Sequence, residues 1–461
     1  MKFILNDREI TTNEPAGLPV LDFIRYNQQL FGTKIGCREG DCGACTILVG
    51  ELINGKVQYT SATSCLMPLG NVAGKHIVSI EGINMEQLNP MQQAMSDEGA
   101  TQCGFCTPGF VVSFAGFSLS PKTPDYDNAI ASINGNICRC TGYKSIERAA
   151  ARLTELMKDR KDEEPVDFAV SRSMLPGYFS TIAARLAAIH AGTEAQVSNG
   201  VRFLAGGTDL YVQQHEELIQ ADIHFLYDRK DLKGIEAHGD QCILGGGTTV
   251  TDILESPVFI NLFPRLEQFL KLVSSTPIRN MATIAGNFVN ASPIGDMTIM
   301  FLALDAELVL VNGEIRRKLP LRKFYKGYKV LDKLPGEYIE KLSFKLPPSG
   351  SYFNFEKVSK RTHLDIASVN TAIYLECNEN CIISSSLSAG GVGPTPLYLE
   401  KTSLFLKGKE INDTNIESAI LLAQGEISPI SDARGSEEYK RLLLAQLIKA
   451  HFYVLAGIHH T

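Results

Sequence analysis

Eight of the chain's eleven cysteines fall between residues 37 and 140, and this crowding restricts the possible folds more than any other feature. Thiols packed so closely form disulfides or serve metal or redox chemistry. A disulfide framework suits a small secreted domain. This chain has 461 residues, and its opening Met1-Lys-Phe-Ile-Leu5 meets Asn6-Asp-Arg-Glu9 at once, so no signal-peptide core forms. Clustered cysteines in a reducing compartment point to metal or redox use. No apolar run is long enough to span a bilayer, so the sequence predicts a cytoplasmic protein with no membrane partner. A net charge of −7 spread along the chain argues against nucleic acid as a partner.

The first four cysteines are Cys37, Cys42, Cys45 and Cys65. Their spacing, C-x4-C-x2-C followed by a distant fourth, is the plant-type [2Fe–2S] pattern. Gly36, Gly40 and Gly43 let the loop wrap tightly and aim backbone N–H groups at the sulfurs. Phe3-Ile-Leu5 predicts a strand and Asp22-Phe-Ile-Arg25 a short helix. Thr46 to Tyr59 predicts a hairpin turning at Asn54-Gly55. A four-cysteine zinc site is the alternative, but structural zinc usually takes paired knuckles of similar shape.

The second four are Cys103, Cys106, Cys138 and Cys140. The first two precede Pro108 and an apolar helical run, Phe110 to Leu119. The last two follow the turn Asn134-Gly-Asn136, and C-x-C from a regular helix cannot point both sulfurs inward. Helices are expected from Pro90, over Asp127 to Ile133 and over Ser145 to Met157, giving a helical bundle with metal held between two helix ends. A zinc knuckle or a redox-active dithiol pair is the alternative. C-x-C is uncommon for structural zinc, and no thioredoxin-like βαβ pattern surrounds Cys103.

In this order, GCREGDCGACT, QCGFCTPG and GNICRCTGY closely resemble the iron–sulfur region of molybdenum hydroxylases, a family that includes xanthine dehydrogenase, aldehyde oxidase and carbon monoxide dehydrogenase. The resemblance implies a β-grasp, ferredoxin-like [2Fe–2S] domain and a four-helix [2Fe–2S] domain, with the eight cysteines as iron ligands. It also implies that Gln102 contacts a molybdopterin and that Cys140 is the ligand nearest to it.

The length predicts about three domains. A charged run, Lys158-Asp-Arg-Lys-Asp-Glu-Glu-Pro165, reads as a linker, with a helix from Ser180 to Ala191 beyond it. Three glycine turns follow, at residues 201–210, 244–250 and 283–296. Turns without side chains let backbone N–H groups approach a pyrophosphate. None has the G-x-G-x-x-G form, so a Rossmann fingerprint is absent. Each alone is more often just a tight connection, and it is three of them within about ninety residues, followed by Asp296, that point to a ligand. LAGGTDL and TIAGNFVNASPIGD resemble the FAD-binding loops of the same family's flavoprotein domain, whose fold is α+β and similar to that of vanillyl-alcohol-oxidase-like (PCMH) flavoproteins. The resemblance assigns FAD to Phe203, Leu204, Ala205, Gly206, Gly207, Thr208, Asp209 and Leu210, and to Thr283, Ile284, Ala285, Gly286 and Asn287. It adds Asp296, Lys357 in EKVSKR, and Ile339. Val273 stands where some relatives stack an aromatic residue on the adenine.

Residues 351–358, 368–376 and 381–389 alternate like strands. Helices are expected over 416–422 and 439–454, giving a small α+β domain. Cys377 and Cys381 read as structural, and His459-His460 as a frayed tail. The expected α+β multidomain order is 1–78 ferredoxin-like, 79–160 helical, 161–172 linker, 173–347 FAD-binding and 348–461 C-terminal. The resemblance implies the iron–sulfur and FAD (small) subunit of an oxidoreductase like the bacterial two-subunit xanthine dehydrogenases. A large partner subunit would hold molybdopterin, in a heterodimer that pairs to a heterotetramer, and NAD+ would be the acceptor in hypoxanthine and xanthine oxidation. Aldehydes or other N-heterocycles are alternative substrates. A molybdenum-independent flavin–iron–sulfur NADH reductase is an alternative activity, and a non-catalytic zinc-binding assembly or sensor protein an alternative class.

Overall fold

The computed structural model describes residues 1–191, 202–361 and 364–459. Val201, with which the first glycine turn was expected to begin, and His460 lie outside them. Two compact units divide the chain: Met1–Asp228 with Ser275–Ala282, and Arg229–Ser274 with Thr283–Thr461.

The first unit opens on a mixed five-stranded sheet. Lys2–Leu5 pairs antiparallel with Arg8–Thr11 and parallel with His76–Val78, which joins the hairpin Thr46–Ile53/Lys56–Thr63. The hairpin turns at Asn54 and Gly55, both at positive φ, as the Asn-Gly signal predicts. Phe3, Leu5, Ile47 and Val49 alternate onto one face and bury Leu21, Phe23 and Ile24 of the short helical segment beneath. This is the β-grasp arrangement.

Helices Pro90–Asp97, Thr107–Ser118, Tyr126–Ser132 and Lys144–Met157 follow. Asn89 and Gln92 form a reciprocal capping box that starts the first of them. Thr107–Ser118 is apolar nearly all round and therefore sits at the centre, with Phe110, Val111, Val112, Phe114 and Ala115 buried. Part of the expected linker is structured. Pro165 opens the helix Pro165–Ser171, whose Phe168 and Ala169 are fully buried. Proline is pre-organised for a first helical turn, and Phe168 supplies the burial that the charged residues before it lack. The helix expected over Ser180 to Ala191 is present as Ile182–Ala191, entered through a 3-10 turn, Gly177–Thr181.

The second unit holds two antiparallel sheets. One has the order Ile315–Pro320, Glu307–Asn312, Tyr338–Lys345, Gln241–Gly245, Ile235–His238. Phe259, Phe301 and Phe344 pack mainly edge-to-face beside it, with centroids 5.9 to 6.2 Å apart. The other runs Tyr352–Val358, Val369–Asn378, Cys381–Gly390, Leu397–Tyr398, covered by Asp413–Glu426 and Glu437–His459. The sequence missed the helix Glu400–Leu406, because its seven residues are too few for a periodic signal. Much of the stretch expected as a glycine turn over 283–296 is helix: Thr283 caps Ile284–Asn290, and Asp296 opens Asp296–Ala303. The α+β reading of the whole chain holds.

Candidate functional site

The eight cysteines stand in four pairs. Cys45 Sγ lies 3.4 Å from Cys65 Sγ, and Cys140 Sγ 3.6 Å from Cys103 Sγ. Cys37 and Cys42 make a third pair through a side-chain hydrogen bond, and Cys106 and Cys138 a fourth. Within each pair one thiol is lowered and its partner raised. The hydrogen bond from Cys42 brings Cys37 down to about 5 and raises Cys42. Cys65 does the same to Cys45, and is itself raised. The Phe105 N–H and then Cys140 lower Cys103, while Cys103 raises Cys140. Burial, then Cys138, pushes Cys106 up to about 12. Burial works against Cys138 too, but the Thr141 hydroxyl and N–H carry it below the usual thiol range.

Among the described residues, no three His, Cys, Asp or Glu side chains converge where a single metal ion would sit. A mononuclear zinc site needs three or four donors at one point. Two pairs a short distance apart suit a centre of two irons, each held by two thiolates. The donor set therefore fits [2Fe–2S] chemistry. Backbone amides aimed at sulfur add to the fit: Glu39 N–H meets Cys37 Sγ at 3.3 Å, and Thr141 N–H meets Cys138 Sγ at 3.5 Å.

The two sets differ in exposure. Cys45 and Cys65 are 2% and 1% exposed, whereas Cys103 and Cys140 lie open to solvent beside exposed Gln102 and Phe105. Tight turns cause this placement. Gly104, Gly142 and Tyr143 all take positive φ, and the Tyr143 hydroxyl accepts the Cys138 N–H at 3.0 Å. Tyr143 went unnoticed in the sequence, because a hydroxyl reaching back five residues leaves no periodic trace.

In the first unit, the strand Arg202–Leu204 runs into the turn at residues 205–208. Gly207 sits at φ +83°, and a side chain on Gly206 would collide with the Met281 carbonyl. Asn71 Nδ2 donates to the Ala205 carbonyl at 2.9 Å. Among the described residues, no protein acceptor meets the N–H groups of Ala205, Gly206, Gly207 and Thr208. Adjacent unpaired amides in such a turn form a concavity suited to an anion, which fits a pyrophosphate. Phe203 stacks obliquely on His224 with centroids 5.2 Å apart, while Leu204 is core. Asp209 and Leu210 begin the next short helix.

The second unit treats its matching stretch differently. Ile284 N–H donates to the Thr248 carbonyl, Ala285 N–H to the Gly246 carbonyl, and Gly286 N–H to Thr283 Oγ1. Asn287 N–H is also committed, to Thr283, and its Oδ1 accepts from the Thr298 amide and hydroxyl. These amides are satisfied by the fold, so side chains are left to meet a ligand. Lys357, with a side chain 2% exposed, donates to Asp296 Oδ2 and to the Leu272 carbonyl, each at 2.7 Å. Asn370 holds the other Asp296 oxygen at 2.6 Å. The sequence did not single out Asn370, whose strand position looks ordinary. Ile339 and Val273 are buried, and the Ile339 carbonyl blocks any side chain at Gly246.

Four family models match the chain in series. They are the 2Fe-2S iron-sulfur cluster binding domain over residues 3–69, the [2Fe-2S] binding domain over 79–151, the FAD binding domain in molybdopterin dehydrogenase over 177–347, and the CO dehydrogenase flavoprotein C-terminal domain over 354–454. Xanthine dehydrogenase of Emericella nidulans is 26% identical over 90% of this chain and 35% of its own length. Xanthine dehydrogenase 1 of Arabidopsis thaliana is 26% identical over 97% of this chain and 39% of its own. The chain thus spans well under half the length of these relatives. A reconstituted CO dehydrogenase structure from Oligotropha carboxidovorans is 27% identical, with a TM-score of 0.52 over 56% of this chain and 90% of that one. Quinoline 2-oxidoreductase from Pseudomonas putida 86 shares the fold at 22% identity and a TM-score of 0.51, over 56% of this chain and 89% of that one. Paired cysteines in two sets, a glycine turn with open amides and four consecutive domain matches agree: the chain carries, in series, two [2Fe–2S] binding domains, an FAD-binding domain of the molybdopterin dehydrogenase type and a CO dehydrogenase flavoprotein C-terminal domain.

Proposed function

We propose that this chain is the electron-transfer subunit of a xanthine dehydrogenase. When bound, two [2Fe–2S] centres and FAD would supply one-electron relay and hydride chemistry, linking a partner's molybdopterin to NAD+. In this reading Cys37, Cys42, Cys45 and Cys65 hold one centre, and Cys103, Cys106, Cys138 and Cys140 the other. Gln102 and exposed Cys140 face the partner. In the first unit the amides of residues 205–208 are read as a pyrophosphate cradle; in the second, Thr283 to Asn287, Asp296, Lys357 and Ile339 keep the FAD assignment that the resemblance gives them.

The observation that carries this reading is the contrast in exposure between the two cysteine sets. A buried thiol pair suits an internal relay, and a solvent-facing pair ringed by Gln102 and Phe105 suits docking to another protein. The substrate reading leans on the xanthine dehydrogenases among the relatives. The test is purification of the native complex, metal analysis, and a hypoxanthine or xanthine assay with NAD+. Molybdenum in a larger partner and NAD+-dependent urate formation are expected. Molybdenum-free material with full physiological activity would sink the proposal.

A further inference from the structure

The two cysteine loops touch each other directly within the first unit. Asn136, 5% exposed and two residues before Cys138, is the point of contact. Its Nδ2 donates to the Gly43 carbonyl at 3.1 Å and to Thr46 Oγ1 at 3.3 Å, and its Oδ1 accepts the Ser113 hydroxyl at 2.7 Å. Gly43 lies between Cys42 and Cys45, and Ser113 is on the helix that follows Cys106. One amide side chain therefore reaches the ligand loops of both sets. The neighbouring Ile137 N–H donates to the Cys42 carbonyl at 3.0 Å. No side chain intervenes, because a Cβ on Gly43 would collide with the Gly135 carbonyl and one on Gly109 with the Gly43 carbonyl.

We propose that Asn136 is a positioning residue that fixes the separation and relative orientation of the two iron–sulfur centres. The inference rests on the reading of the eight cysteines as ligands of two [2Fe–2S] centres. A buried carboxamide with donor and acceptor both engaged has one low-energy placement, since any shift leaves a polar group unpaired. The Gly43 carbonyl also accepts from the Thr46 N–H and hydroxyl, so it stays satisfied without Asn136. Losing the side chain should loosen the register between the loops without starving either of hydrogen bonds.

The test uses the full chain with both centres reconstituted and reduced. Low-temperature EPR reads the dipolar interaction between them, which falls steeply with distance. Asn136→Leu removes the bridge but strands the Ser113 hydroxyl. Ser113→Ala/Asn136→Leu removes both partners and protects folding. The double variant is expected to keep wild-type iron content and both signals, while the single defined interaction is lost to a broad distribution. Gly109→Ala, which drives a methyl group into the Gly43 carbonyl, is expected to shift the interaction with Asn136 intact. An unchanged interaction in the double variant overturns the proposal. Loss of the Cys103-set signal alone also overturns it, since Asn136 would then be only a local loop support. A wild-type chain that shows fewer than two iron–sulfur signals overturns the ligand reading itself, and the proposal with it.

Discussion

At the scale of single residues, the cysteine pairing makes a separable prediction. Cys106→Ser should abolish the EPR signal of the Cys103 set and halve the iron content, leaving the Cys37-set signal and FAD in place. Equal loss of both signals would refute the partition into two sets. Buried histidines make a second prediction. His76 Nε2 donates to the Asn6 carbonyl at 2.9 Å while Nδ1 accepts from the Tyr59 hydroxyl at 2.8 Å, so the neutral ring is held and burial lowers its pKa to about 3. The unfolded chain takes up this proton near pH 6.5 and the folded chain does not. Stability from His76 is therefore complete above about pH 6.5 and lost as pH falls toward 3. By pH 5 the loss is about 2 kcal/mol. Thermal unfolding against pH should show that decline, and His76→Gln should flatten it. The cysteine spacing was legible because it is a local pattern of the chain that matches a known ligand spacing. His76 gave no warning, since nothing in a sequence says which histidine the sheet will bury.

At the scale of elements, the turn at residues 205–208 and the helix Ile284–Asn290 show how similar glycine-rich strings diverge. Both look like phosphate loops in sequence. The fold leaves the amides of the first open and consumes those of the second in bonds to Thr248, Gly246 and Thr283. Gly207→Ala is thus expected to lower flavin content severalfold at unchanged iron content, read as the flavin-to-iron ratio of purified protein. A methyl there meets the Leu66 carbonyl at 2.6 Å and must adopt φ +83°. In the second unit, Lys357→Met would leave the Asp296 carboxylate without its cationic partner. A loss of about 3 kcal/mol is expected in that unit's unfolding, with partial recovery in Lys357→Met/Asp296→Asn. Long periodic helices such as Thr107–Ser118 and Lys144–Met157 fell within a few residues of expectation. Short ones such as Pro165–Ser171 did not, because their burial comes from partners distant in sequence.

At the scale of the whole molecule, the chain divides into two compact units, and no described helix is long and apolar enough to cross a membrane. Cys377 and Cys381 sit at the turn end of a hairpin, where Asn378 pairs with Cys381. The sequence alone determined the two cysteine quartets, the α+β class and the hairpin turn at Asn54-Gly55, because ligand spacing, hydrophobic period and turn chemistry are local properties of the chain. Tertiary structure alone decided which cysteines pair, which set faces solvent, which amides remain open and that Asn136 links the two loops. Those are contacts between residues far apart in sequence, 93 positions from Asn136 to Gly43, and only packing brings such residues together.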